Sequence, residues 1–224
     1  MDQKIKVLIV DDEPDITEFL SYNLLKHNYD VKTAAGAKEA LEIAHLFKPH
    51  LYILDIMMPG KSGLELCAEI RKDNALNTAM IVMLTARQED AIQINALDAG
   101  ADDYITKPLK PSVFLSRIQA LMRRSELPSS KELIFEDLTI DPVNYLVKLN
   151  NKFIELPKKE FETLYLMASK PGKVFSRNEI LSKVWGRDVI VGDRTIDVHI
   201  RKLREKIGEK YVQTIKGVGY KFVF

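Results

Sequence analysis

Apolar positions in the first half of the chain follow two rhythms. Short, nearly continuous apolar runs at 4–10 (KIKVLIV), 31–34, 51–54 (LYIL), 79–84 (AMIVML) and 104–105 have the length and composition of strands buried on both faces. Between them Ile16, Phe19, Leu20 and Leu24, then Leu41, Ile43, Ala44 and Phe47, recur at helical spacing. Segments 64–71, 89–99 and 111–124 complete five predicted helices. Strand and helix alternate throughout, and strands without a polar face need helices on both sides. The expectation is an α/β unit, a doubly wound five-stranded parallel sheet.

After residue 124 the texture changes. Residues 125–131 are polar, contain Pro128 and carry no periodicity, which predicts a linker between a domain at 1–124 and a second at 132–224. Short apolar runs at 133–135, 138–140, 145–149 and 153–154 are broken by Asp141-Pro142 and Asn150-Asn151, the turn chemistry of a small antiparallel sheet. Helical patterns follow at 158–168, 177–184 and 194–207. The chain then runs through 211–215 and 220–224, which flank Lys216-Gly217-Val218-Gly219, a glycine-bearing hairpin. The second unit is therefore expected to be α+β.

Composition narrows the class. With 224 residues, 46% hydrophobic and 29% charged, the chain has material for two cores, and no apolar run has the length of a bilayer-spanning helix. The lone Cys67 cannot pair within the chain and reads as a small buried apolar residue, and no secretory pattern opens the sequence. A reducing cytoplasm is the expected setting. Charge is unevenly divided. Residues 1–125 carry 15 basic and 18 acidic side chains, net −3, while 126–224 carry 18 and 14, net +4. That excess comes from 194–221, at net +5, the rest of that half being net −1, as expected where a polyanion binds.

The predicted parallel strands bring chemistry to one edge. The first runs into Asp11-Asp12, the third into Asp55, the fourth into Thr85-Ala86 and the fifth into Thr106-Lys107-Pro108. Ligands of such sheets gather beyond the carboxyl ends of the strands. Three carboxylates meeting there repel one another and call for a hard cation, Mg²⁺ or Mn²⁺, with Lys107 supplying a further positive charge. An open carboxylate between metal and ammonium is a nucleophile for phosphoryl transfer.

Asp11-Asp12, Asp55 with Met57-Met58-Pro59-Gly60, Thr85-Ala86 and Gly100-Ala-Asp-Asp-Tyr-Ile-Thr-Lys-Pro108 resemble the receiver domain of two-component response regulators, whose sheet is flavodoxin-like. The resemblance implies a role for each residue. Asp55 accepts the phosphoryl group. Mg²⁺ is held by Asp12, Asp55 and the Met57 carbonyl, with Asp11 helping. Lys107 pairs with the phosphoryl group, Thr85 swings toward it, and Tyr104 turns inward behind Thr85. The Lys107–Pro108 peptide is expected to be cis. A phosphohydrolase with an aspartate nucleophile is the rival enzyme reading, but it needs an acid/base Asp two residues after the nucleophile, where Met57 stands.

Residues 194–207 form an amphipathic helix. Ile196, Ile200, Leu203 and Ile207 make its core stripe, and Arg194, Val198, Arg201 and Lys202 fall on the opposite side, with Thr195 and His199 on a flank and Asp193 as cap. Arginine takes guanine bidentately and valine methyls touch thymine, so the outward face suits a major groove as well as it suits bare solvation. Leu156-Pro-Lys-Lys-Glu-Phe161, Trp185-Gly186, the 193–204 run and Thr214-Ile-Lys-Gly-Val-Gly-Tyr220 resemble the winged helix-turn-helix effector of the OmpR/PhoB class. That resemblance places Arg194 and Arg204 on phosphates, and Val198, Arg201 and Lys202 on bases. Thr195, His199, Thr214 and Tyr220 position the backbone, and Lys216 lies in the wing. Trp185 is left between core anchor and phosphate contact.

The resemblance further implies a sensor histidine kinase as phosphodonor, a homodimer when phosphorylated, double-stranded DNA with direct-repeat half-sites, and RNA polymerase as a candidate partner. The expected dimer face keeps one charged pair, Asp103 and Arg117, while Gln93 and Val113 replace a second. The reading is thus a transcriptional switch, with a winged helix that binds protein instead of DNA as the remaining rival.

Overall fold

The structure is a computed structural model that describes residues 4–86, 90–122, 131–186 and 194–224, with the side chains of 90, 91, 93 and 194 outside the description. Residues 125–130 of the predicted linker, Arg87 and Asp193 lie outside the described residues. Contacts gather into two compact units, Met1–Ser116 and Arg117–Phe224, so that the division falls inside one helix.

The first unit alternates strand and helix: β1 (Lys6–Val10), α1 (Pro14–Lys26), β2 (Asp30–Ala34), α2 (Ala37–Phe47), β3 (Leu51–Asp55), α3 (Gly63–Lys72), β4 (Met80–Thr85), α4 (Asp90–Ala99), β5 (Asp103–Thr106) and α5 (Pro111–Met122). The five strands are parallel in the order β2-β1-β3-β4-β5, the doubly wound sheet the apolar runs require. β3 and β4 are buried along their whole length, whereas β2, an edge strand, mixes Lys32 and Thr33 into its sequence and exposes them. The helices cover the sheet with short stripes, Ala37, Ala40, Ala44 and Phe47 on α2 and Leu66, Cys67 and Ile70 on α3. Cys67 is buried, as its small apolar character suggests, and its thiol donates to the Ala99 carbonyl at 3.5 Å. A capping box starts α3: Ser62 Oγ accepts from the Glu65 N–H at 3.3 Å, and the Ser62 N–H donates to Glu65 Oε2 at 2.9 Å.

At the other end of α3, Arg71 ties three segments together. Its guanidinium donates to the carbonyls of Gly100 (2.8 Å), Ala79 (2.7 Å) and Asn77, and to Asp102 Oδ2 at 2.6 Å. Gly100 has φ +113°, and a Cβ there would meet Arg71 Cγ at 2.6 Å, so only glycine admits this approach.

The second unit opens with an antiparallel sheet in the order β6 (Leu133–Phe135), β7 (Leu138–Asp141), β8 (Leu146–Leu149) and β9 (Lys152–Ile154). Asn150 and Asn151 both have positive φ and close the last hairpin. Then come α6 (Lys158–Ala168), β10 (Val174–Ser176), α7 (Arg177–Val184), α8 (Arg194–Ile207), a single 3₁₀ turn and the hairpin β11 (Val212–Ile215) and β12 (Gly219–Phe222). The sequence pattern did not predict β10, a three-residue strand that pairs with β12 and makes the hairpin three-stranded. Gly219 permits it: a Cβ there would meet the Phe175 carbonyl oxygen at 2.0 Å. Ile196, Ile200, Leu203 and Ile207 form the buried stripe of α8, and Trp185 is enclosed with them as a core anchor. Among the described residues no helix is long and apolar enough to cross a membrane.

Candidate phosphoacceptor site and nucleic-acid interface

Parallel pairing places the carboxyl ends of β1, β3, β4 and β5 at one edge, with Thr85 opposite Thr106 in register. Asp11 (2% exposed) and Asp55 (5%) are buried there, together with Thr85. Lys107 reaches in from the chain after β5, its backbone N–H donating to the Thr85 carbonyl at 2.7 Å and its peptide to Pro108 cis. Its Nζ lies 2.8 Å from Asp55 Oδ1, 3.0 Å from Asp11 Oδ2 and 3.0 Å from Glu13 Oε1. The other Asp55 oxygen accepts the Met57 N–H at 2.6 Å. Gly63 backs the loop: a Cβ on it would meet the Asp55 carbonyl oxygen at 2.0 Å.

These contacts set the electrostatics. Burial raises the Asp11 carboxyl above its ordinary value, its hydrogen bonds to Glu13 and Lys107 pull the other way, and the neighbouring Asp55 raises it further. Burial by itself would lower the Lys107 ammonium, but hydrogen bonds to Asp55, Asp11 and Glu13 outweigh it and raise the group. Three carboxylates around one ammonium, with Asp12 beside them, leave the site short of positive charge.

The second unit carries a different surface. Arg201 and Lys216 are exposed, on α8 and at the hairpin tip. Arg204 donates to the Val212 carbonyl at 2.7 Å and to Thr214 Oγ1 at 2.7 Å, which links α8 to β11. Two guanidinium groups approach the Tyr220 ring, Arg177 at 5.2 Å and Arg204 at 5.7 Å from its centroid. Its hydroxyl donates to Asp197 Oδ1 at 2.6 Å, and Arg177 Nε donates to the same oxygen at 2.7 Å. Burial, with the hydrogen bond to Asp197, pushes the phenol up to about 12.

Comparison with known proteins fits both halves. Residues 7–119 match the response regulator receiver domain family, and residues 150–222 match the family of transcriptional regulatory protein C-terminal domains. The chain is 40% identical over 231 residues to the alkaline phosphatase synthesis transcriptional regulatory protein PhoP of Bacillus subtilis, covering 96% of this chain and 95% of that one. The chain belongs to the OmpR/PhoB class of two-component response regulators. Among solved structures it resembles the response regulator DrrB of Thermotoga maritima, an OmpR/PhoB homologue, at 33% identity and TM-score 0.52 over 99% of this chain and all of that one. A mutant of RitR, at 24% identity and TM-score 0.80 over 97% of this chain and 98% of that one, shares the fold. As a response regulator of this class the protein controls transcription, and nothing in its relatives favours a phosphohydrolase.

Within this response regulator, the predicted site residues fare differently. Asp11, Asp55, Thr85 and Lys107 are brought together, and Tyr104 is buried on β5. Asp12 and Met57 lie on the exposed rim, and among the described residues no three His, Cys, Asp or Glu side chains stand close enough to cage an ion. The donors still fit a hard cation, because all are oxygens and their negative charge exceeds what Lys107 balances.

On α8 the expected outward face is only partly open. Val198 (8% exposed), Thr195 and His199 are buried, and the His199 ring stands 5.0 Å from Trp185. A helical wheel gives the direction of a side chain but not what stands beyond it, so burial of Val198 was invisible in the spacing. Tyr220 is buried too, held by Asp197. The Arg194 side chain lies outside the described residues. At the expected dimer face, Asp103 is buried instead of exposed, its carboxylate accepting the Tyr104 N–H at 2.8 Å, while Val113 is exposed and the Gln93 side chain lies outside the description. The resemblance had placed Asp103 in a charged pair with Arg117 at that face. Sequence reasoning also missed Glu13, Gly63 and the Arg177–Asp197–Tyr220 cluster. Glu13 follows the Asp pair directly, but only the folded loop turns it onto Lys107.

Proposed function

We propose that Asp55 is the phosphoacceptor of a switch that a sensor histidine kinase loads. One observation carries the reading: Asp55 is buried at the tip of β3 with Lys107 Nζ 2.8 Å from one oxygen and the Met57 N–H 2.6 Å from the other. In the transfer an Asp55 oxygen forms the new P–O bond while the bond from phosphorus to the donor breaks, the donor leaving with the bonding pair. Lys107 pairs with the charge that arrives, and Thr85, next to it on β4, turns toward it. Mg²⁺, when held by Asp11, Asp12, Asp55 and the Met57 carbonyl, supplies further charge neutralisation at the phosphoryl oxygens. The units at 1–124 and 132–224 are the receiver and the winged helix, joined by a linker at 125–131.

The winged helix then binds double-stranded DNA at direct-repeat half-sites. Arg201 and Lys202 read bases from α8, and Lys216 and Arg204 hold phosphates, with Thr214 beside Arg204. Val198, Thr195, His199 and Tyr220 are buried supports of that surface in this arrangement. Phosphorylated chains pair through the face of α4, β5 and α5, in the cytoplasm, where RNA polymerase is the machinery they act upon.

Intact-protein mass spectrometry tests the first step. Acetyl phosphate with Mg²⁺ should add one phosphoryl group, Asp55→Asn should take none, and Asp12→Ala should slow the reaction. Full labelling of Asp55→Asn overturns the assignment.

A further inference from the structure

Lys107 has three N–H donors, and each faces a carboxylate: Asp55, Asp11 and Glu13. The ammonium has no donor to spare. If Asp55 is the phosphoacceptor, a phosphoryl oxygen can bond to Lys107 only when one of these partners gives way.

The three are unequal in what release costs. The Asp11 side chain is fully buried, and parting it from Lys107 strands a charge away from water. Asp55 is itself the group that receives the phosphoryl. The Glu13 side chain is 63% exposed, so water replaces the ammonium with little loss. Its backbone, by contrast, is fixed. The Glu13 N–H donates to Asp11 Oδ1 at 3.0 Å, and its carbonyl accepts the N–H groups of Ile16 and Thr17 at the start of α1. Glu13 is the N-cap residue of α1 yet makes no capping hydrogen bond with its side chain, where Ser, Thr, Asp or Asn would serve the helix better. A residue that breaks a local rule while its carboxylate reaches a site lysine points to a role at that site.

We propose that Glu13 is a placeholder anion. It occupies the Lys107 donor that a phosphoryl oxygen takes over, and it swings out to solvent when Asp55 is loaded. Glu13 is thus a positioning residue that competes with the phosphoryl group and sets how readily the switch is charged. The idea rests on Asp55 as phosphoacceptor, and the test separates the two. With acetyl phosphate, an Asp55 oxygen forms the P–O bond as the acetyl P–O bond breaks and acetate departs with the electron pair, so no proton need move.

The full-length chain is labelled with acetyl phosphate at saturating Mg²⁺, and the initial rate is read by intact-protein mass spectrometry. Glu13→Gln should label roughly two- to fivefold faster, the fold-change of one exposed ion pair. Asp15→Asn removes an equal charge from the first turn of α1 and should leave the rate unchanged. A second readout needs no metal: in the metal-free protein, the Lys107 ammonium protons should exchange with water faster in Glu13→Gln, as seen by NMR of lysine side chains. A rate for Glu13→Gln that is unchanged or lower, or that rises equally in Asp15→Asn, overturns the placeholder. An unsubstituted chain that takes no label, or an Asp55→Asn chain that does, overturns the phosphoacceptor reading instead.

Discussion

Arg71 and Asp102 show how much depends on single residues outside any site. The pair is almost wholly buried, and Arg71 also serves carbonyls of segments that follow α3 and α4. Arg71→Ala removes the guanidinium from Asp102, whose Oδ2 still accepts the Ile81 N–H at 2.8 Å, and from the carbonyls it serves, so a loss of about 3–5 kcal/mol is expected in chemical denaturation. A loss below about 1 kcal/mol would mean water replaces the guanidinium. Tyr220 gives a pH prediction. Its pKa rises from 10.0 to about 12 on folding. A group whose folded value exceeds its unfolded one adds stability that is complete below the unfolded pKa and fades as pH climbs through the folded one. The phenol therefore remains a donor to Asp197 at neutral pH, and its contribution disappears between about pH 10 and 12. Burial also raises Tyr29, Tyr52 and Tyr211, so absorbance titration at alkaline pH should show several late tyrosines, one of which Tyr220→Phe removes. No late tyrosine specific to Tyr220 would mean the phenol is not held.

At the scale of elements, two glycines fix how strands and helices meet. Gly63 lets α3 begin against the Asp55 carbonyl, and Gly219 lets β12 run against β10. Gly63→Ala forces apart the helix start and the loop that carries Asp55. Overpacking of this kind costs about 1–3 kcal/mol. The phosphoryl labelling rate should fall as well, and a wild-type rate with a wild-type melting curve would show that the loop gives without consequence. For α8, the open positions define the test. Arg201→Ala should cost on the order of 1–3 kcal/mol of discrimination between cognate and random duplex. Lys216→Ala should weaken both alike and flatten the salt slope by about one unit. Equal losses on both duplexes for Arg201→Ala would remove it from base reading.

For the whole molecule, the proposed pairing of two phosphorylated chains gives the test. With Asp103 buried and Val113 exposed, the face of α4, β5 and α5 offers apolar contact more than charge. An exposed ion pair contributes roughly 0–1 kcal/mol, too little to assemble a dimer. The phosphorylated full-length chain should therefore dimerise with weak dependence on salt, and Arg117→Glu should weaken the dimer. Sedimentation at low and high salt checks this, and a chain that stays monomeric at tens of micromolar when loaded with a phosphoryl mimic would refute the interface.

The order of apolar runs and helical stripes determined the five-stranded parallel sheet, and the parallel arrangement alone brings Asp11, Asp55, Thr85 and Lys107 to one edge, because every strand ends on the same side. Turn residues at 150–151 and 216–219 likewise announced the β8-β9 and β11-β12 hairpins of the second unit. What the sequence left open depends on contacts between segments distant along the chain. β10 is three residues long and exists as a strand only because β12 pairs with it. Burial of Val198 and Asp103 depends on what stands opposite them, which periodicity does not contain. Glu13 is an ordinary acidic residue until the turn after β1 carries it within 3.0 Å of a lysine 94 positions away. Local pattern encodes which face of an element is apolar, whereas the partner of a polar side chain is chosen only when the chain closes on itself.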